Sequence, residues 1–152
     1  MENNLSQNQN RLETEALVKN LPEVALFVEK EAKRLKLSQM ELSHMLIVTE
    51  ELFVNIASYA YAPGTGMVTI VTNVDSEENS MSITFIDRGI PYNPLEKPDP
   101  DITLDACKRK QGGLGIFFVK KKVDTMTYAF EDGQNIVTVK KTFKEDPNAR
   151  KK

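Results

Sequence analysis

The chain is 152 residues long, with 40% hydrophobic and 28% charged residues and a formal net charge of −2. This is an ordinary composition for one domain that buries roughly 70% of its unfolded surface, and it excludes a basic nucleic-acid-binding protein. The single cysteine, Cys107, excludes an intrachain disulfide and a multi-cysteine zinc site. No apolar run is long enough for a signal segment or a membrane span, so a cytoplasmic protein with no direct membrane or nucleic-acid contact is expected.

Residues 1–10 are rich in Asn and Gln and read as disordered. Residues 11–17 alternate as an edge strand, and a first helix is predicted over 22–35, where Val24, Phe27, Val28, Glu31, Ala32 and Leu35 recur at helical spacing after Pro22. A second helix is predicted over 38–61, with Ser38 as N-cap and Glu41 completing a capping box; Pro63 and Gly64 stop it. Its core stripe is Leu42, Met45, Leu46, Leu52, Phe53, Ile56, Ala57 and Ala60. Residues 68–74 and 81–86 form a predicted hairpin, with Met81, Ile83 and Phe85 toward the helices. A helix over 113–123 follows, then a second hairpin of 125–130 and 135–143 through Asp132-Gly133. The tail from Lys144 is charged and frayed. Paired strands and few crossovers predict an α+β domain over 11–143: a two-layer sandwich whose mixed, mostly antiparallel sheet carries helices on one face.

Between the hairpins, residues 87–111 hold four of the seven prolines and at most one short helix, near 101–108. A loop this long inside a compact domain is a candidate lid.

Three places carry chemistry. On the second helix, Glu51 and Asn55 stand one turn apart, on the side read as opposite the core stripe and flanked by Ile47, Val48 and Val54. They are either a hydrogen-bonded polar pair in a doubly buried helix or a ligand face, where a carboxylate and an amide oxygen hold a proton acceptor beside a hard cation. Asp87-Arg88-Gly89 follows a buried strand, and reads either as a turn or as a carboxylate poised to accept from a planar amine. Gly112, Gly113, Leu114 and Gly115 open a helix whose backbone N–H groups can face an anion. Lys108, Arg109 and Lys110 precede them, as a phosphate clamp or as solvated charge.

Taken in that order, Glu51–Asn55, Asp87-x-Gly89, a long loop and a glycine-rich helix start resemble the Bergerat-fold nucleotide-binding domain of the GHKL ATPase and kinase superfamily. Within it the chain is similar to the stand-alone anti-sigma-factor serine kinases. The resemblance covers roughly residues 10–143 and is most specific over 50–61, 87–94 and 112–124. It implies Glu51 as general base and Asn55 as the ligand holding Mg²⁺ against the phosphates. It implies Asp87 as acceptor for the adenine amino group, with Gly89 giving close approach, and Lys110, Gly112, Gly113, Leu114 and Gly115 around the triphosphate. Thr138, in the last strand, would lie near the adenine.

Two positions depart from the family pattern. Pro91 stands where a second glycine is common, and Tyr59 where His or Lys is common. The function implied is an ATP·Mg-dependent serine/threonine kinase that phosphorylates an anti-sigma factor antagonist in a partner-switching circuit, with a sigma factor as a further partner. The alternative is a nucleotide-gated protein that sequesters a sigma factor or antagonist without catalysis. Oligomeric state is left open, a homodimer included. His44 is read as structural or as a surface residue.

Overall fold

The structure is a computed structural model that describes residues 8–96 and 113–145. Strand β1 (Gln9–Glu15) is followed by helix α1 (Leu21–Ala32), helix α2 (Gln39–Tyr59) and the hairpin β2 (Met67–Asp75) and β3 (Ser80–Asp87). Helix α3 (Gly113–Lys122) and the hairpin β4 (Thr125–Glu131) and β5 (Gln134–Thr142) follow, and short 3-10 turns occupy Val18–Asn20 and Pro94–Glu96. The expected short helix near 101–108 and the phosphate-clamp cluster lie outside the described residues, as does Cys107.

Local chemistry sets the boundaries of these elements. Ser38 Oγ accepts from the Glu41 N–H at 3.1 Å and Glu41 Oε1 accepts from the Ser38 N–H at 3.4 Å, the reciprocal box that starts α2. The β4–β5 loop is two residues long, and both Asp132 (φ 53°) and Gly133 (φ 76°) take positive φ. A type I′ hairpin turn has this backbone and favours Asp-Gly for that reason.

The sheet order is β1-β2-β3-β5-β4, and every neighbouring pair is antiparallel. The architecture is therefore the expected α+β sandwich, with an antiparallel sheet rather than a mixed one. One sheet face carries Val68, Ile70, Ile83, Phe85 and Val139, which are fully buried against Val24 and Val28 of α1, Val48 and Phe53 of α2 and Val119 of α3.

The N-terminal strand begins two residues earlier than the sequence pattern indicates, because Gln9 and Asn10 pair with Asn73 and Thr72 of β2. Buried Glu31 anchors it. Glu31 Oε1 accepts from Asn10 Nδ2 at 2.9 Å, Thr72 Oγ1 at 2.7 Å and the Arg34 guanidinium at 3.3 Å. A buried carboxylate with three donors meets its hydrogen-bonding demand, and here it ties β1 and β2 to α1.

Candidate functional site

The site is built where β3 ends against β5. Asp87 closes β3, is paired in register with Asn135, and is only 5% exposed. Its Oδ1 accepts from the Gly89 N–H and from Asn135 Nδ2, both at 2.9 Å. Among the described residues no hydrogen bond reaches Oδ2. The carboxylate is thus fixed by one oxygen, and the other remains an acceptor at the cavity that Asp87 lines with Asn55, Ile56, Phe85 and Val137.

Asn135 is the centre of this network. Nδ2 also donates to the Ile90 carbonyl at 2.9 Å, while Oδ1 accepts from the Tyr92 N–H at 3.1 Å and from the Tyr128 hydroxyl. One carboxamide therefore orients Asp87 and holds the chain leaving β3. The sequence reading missed it. The only available signal was its place two residues after the Asp-Gly turn, on the strand face that also carries Val137 and Val139.

Packing against the end of α2 requires glycine at position 89. A Cβ there would overlap the carbonyl carbon and oxygen of Ala60, and the neighbouring Ile90 N–H donates to that same oxygen at 2.9 Å. The loop after β3 lies directly on the C-terminal end of α2, which brings Asp87 and the end of that helix to one pocket.

Helix α2 supplies the other wall. Taking Leu52 as reference and about 100° per residue, Asn55 stands about 60° and Glu51 about 100° to one side of the core line. The pair is therefore on the flank of the buried stripe, not opposite it. Val48, expected on the outer face beside them, is fully buried in the core, as is Thr49, which donates to the Met45 carbonyl. The flank position lets Asn55 and Tyr59 line the cavity at Asp87 and a second one of about 110 Å³, bounded by Glu51, Ser58 and Gly115. Tyr59, where the family pattern has His or Lys, stacks on Tyr92 at 6.3 Å between centroids.

Glu51 and Asn55 are half-buried, and among the described residues neither side chain has a hydrogen bond or ion pair. This contradicts the reading of a mutually satisfied polar pair. The Glu51 carboxylate lies against the first turn of α3, where a Cβ on Gly115 would overlap Oε2. Burial raises its pKa above the ordinary 4.5, and the neighbouring charge of Glu50 raises it further.

The remaining expected residues separate. Gly113 and Leu114 open α3, with Gly115, at the Glu51 end of the site. Lys110 and Gly112 lie outside the described residues. Thr138 is not at the pocket. Side chains alternate along β5, so Asn135 and Val137 face the cavity while Thr138 faces the other side of the sheet, where its hydroxyl meets that of Thr84 at 3.0 Å. His44 sits edge-on to Phe118 of α3, away from both cavities. Among the described residues no group of three or more His, Cys, Asp or Glu could hold a metal ion, and no helix is long and apolar enough to cross a membrane.

Among the described residues, a five-stranded antiparallel sheet lies under three α-helices, with a carboxylate at a strand end and a polar flank on the long helix. The chain belongs to the histidine kinase-like ATPase domain family, whose sequence model matches residues 14–141. Its fold is similar to that in a crystal structure of the RsbU and RsbW domains of Rv1364c from Mycobacterium tuberculosis, with a TM-score of 0.59 and 12% sequence identity. That match covers 88% of this chain and 32% of the other, so this chain spans about a third of that protein's length. No curated protein matches the chain in sequence.

Proposed function

We propose that the protein is an ATP·Mg-dependent serine/threonine kinase of the anti-sigma type, which phosphorylates a small antagonist protein in a partner-switching circuit. The observation that carries this reading is the Glu51–Asn55 pair, two half-buried polar side chains without partners among the described residues, beside a cavity that Asn55 shares with Asp87. Both side chains reach solvent in that cavity, so their hydrogen-bonding capacity is open to a ligand.

The residues present fit an adenine nucleotide. Asp87 Oδ2 takes the exocyclic amino group, while Oδ1 stays committed to Gly89 and Asn135. The base rests on Ile56, Phe85 and Val137, and the triphosphate passes Asn55 toward the N-terminus of α3, whose first-turn N–H groups face an anion. Asn55 would hold Mg²⁺ through its amide oxygen, and the ion would supply neutralisation of the phosphate charge. Glu51, a stronger base than an ordinary carboxylate because its pKa is raised, accepts the proton of the incoming serine hydroxyl. The serine oxygen forms its bond to the γ-phosphorus as the bond to the β-phosphate oxygen breaks, and ADP leaves.

The test is transfer of label from γ-labelled ATP to a candidate antagonist, run alongside calorimetry of Mg·ATP binding. Binding with transfer supports the kinase. ATP-dependent capture of the antagonist without transfer replaces it with nucleotide-gated sequestration, and no binding of ATP refutes both.

A further inference from the structure

A third cavity, with its own chemistry, lies at the opposite end of the α2–α3 pair. It has a volume of about 220 Å³ and is lined by Glu41, His44 and Met45 of α2, Lys121 and Lys122 of α3, and Lys141 and Phe143 at the end of the chain's last strand. Glu41 and Glu51 are ten residues apart on α2, so this cavity is about 15 Å along the helix from the Glu51 carboxylate. It shares no lining residue with either cavity of the nucleotide pocket.

The charge there is one-sided. Three lysines and the only histidine of the chain meet one carboxylate, in a protein whose net charge is −2. That carboxylate is already engaged, since Glu41 Oε1 accepts from the N–H and the hydroxyl of Ser38. Asp124, outside the lining, forms an ion pair with Lys141 Nζ at 3.6 Å, and its Oδ2 accepts from the Thr142 N–H. The Lys121 and Lys122 ammonium groups lie 5.3 and 5.6 Å from the ring centroids of Phe117 and Phe118. Basic residues in the last turn of α3 suit the helix dipole, which accounts for their sign. It does not account for Lys141 arriving from a different element, over a floor of buried Met45 and Phe143. Like charges converging at a low-dielectric floor repel each other; Glu41 and the Lys141–Asp124 pair offset part of that charge, and an entering anion would offset the rest.

We propose that this cavity is an anion site for a compact phosphate group, held by Lys121, Lys122 and Lys141 with His44 as a further donor. The volume admits a single phosphoryl group together with water, and mobile ammonium groups bind phosphate as point charges without demanding one geometry. The group can be free phosphate or a phosphate monoester, and the two sources are separable. The proposal is independent of the nucleotide reading because it uses none of the same residues.

His44 makes the test specific, since it is the only histidine and its imidazole signals report on this cavity alone. The full chain is titrated with inorganic phosphate and, separately, with O-phosphoserine, following His44 by NMR against sodium chloride at matched ionic strength. A saturable shift with the phosphates and none with chloride is expected. The midpoint should move about tenfold higher in Lys122→Gln/Lys141→Gln, and several-fold in Lys122→Gln alone, which leaves the Lys141–Asp124 pair intact. A lower midpoint for O-phosphoserine assigns the site to monoesters, and a lower one for phosphate assigns it to the free ion. No saturable shift, a shift reproduced by chloride, or unchanged midpoints in both variants overturns the proposal.

Discussion

Replacing Asp87 by Asn changes what the pocket reads while leaving its shape. Asp87 Oδ1 accepts two hydrogen bonds, from the Gly89 N–H and Asn135 Nδ2, and the amide oxygen of Asn can keep both. The amide NH₂ then takes the place of Oδ2, so a donor faces the adenine amino donor. The loss is one hydrogen bond to a charged acceptor, about 1.5–3 kcal/mol, or roughly 10- to 150-fold in Kd. Calorimetry with Mg·ATP should show that weakening, with a melting temperature close to wild type. Inosine triphosphate, which carries a carbonyl at the same ring position, should recover part of the loss in Asp87→Asn and bind the wild type poorly. Equal ATP affinity in the two proteins, or a wild type that prefers GTP, would refute the assignment of Asp87 to adenine.

Further outcomes separate the roles of the other residues. Glu51→Gln should leave Mg·ATP affinity nearly unchanged and slow transfer by about 10²–10⁴-fold, whereas Asn55→Ala should weaken the metal-dependent part of binding as well, read by calorimetry with and without Mg²⁺. The wild-type transfer rate should fall as pH drops through the Glu51 pKa, with a midpoint above the ordinary 4.5. Because that value is raised in the folded state, the folded protein holds this proton more tightly than the unfolded chain, and stability falls as pH rises through the window. Glu51→Gln should therefore melt higher than wild type at neutral pH, the difference shrinking as pH approaches 4.5. Gly89→Ala should cost about 1–3 kcal/mol, since its Cβ meets the Ala60 backbone, and calorimetric melting should fall by about 2–4 °C per kcal/mol. Asn135→Ala should lose both stability, by about 1–3 kcal/mol, and ATP affinity, because Asp87 is no longer held; unchanged ATP affinity would show that Gly89 alone orients it.

Sequence by itself determined the element order, the capping box at Ser38, the Asp-Gly hairpin turn and the placement of Glu51, Asn55 and Asp87 on their elements. These are local matters, written in spacings of three, four and two residues and in turn chemistry. Facing depended on tertiary packing. Val48 and Thr49 are core residues because α2 is covered by the sheet on one side and α3 on another, which turns Glu51 and Asn55 to a flank and into contact with two cavities. Gly89 carries a glycine signature in the sequence, and the chain crossing at Ala60, a tertiary contact, supplies a packing cause for it. The last strand shows the limit most plainly. Thr138 and Asn135 are both polar residues in a strand pattern, and nothing in the spacing of that strand gave a reason to prefer either. The β3–β5 register decides between them, pairing Asp87 with Asn135 and turning Thr138 to the far face. Register is a relation between segments 48 residues apart, and no spacing within either strand encodes it.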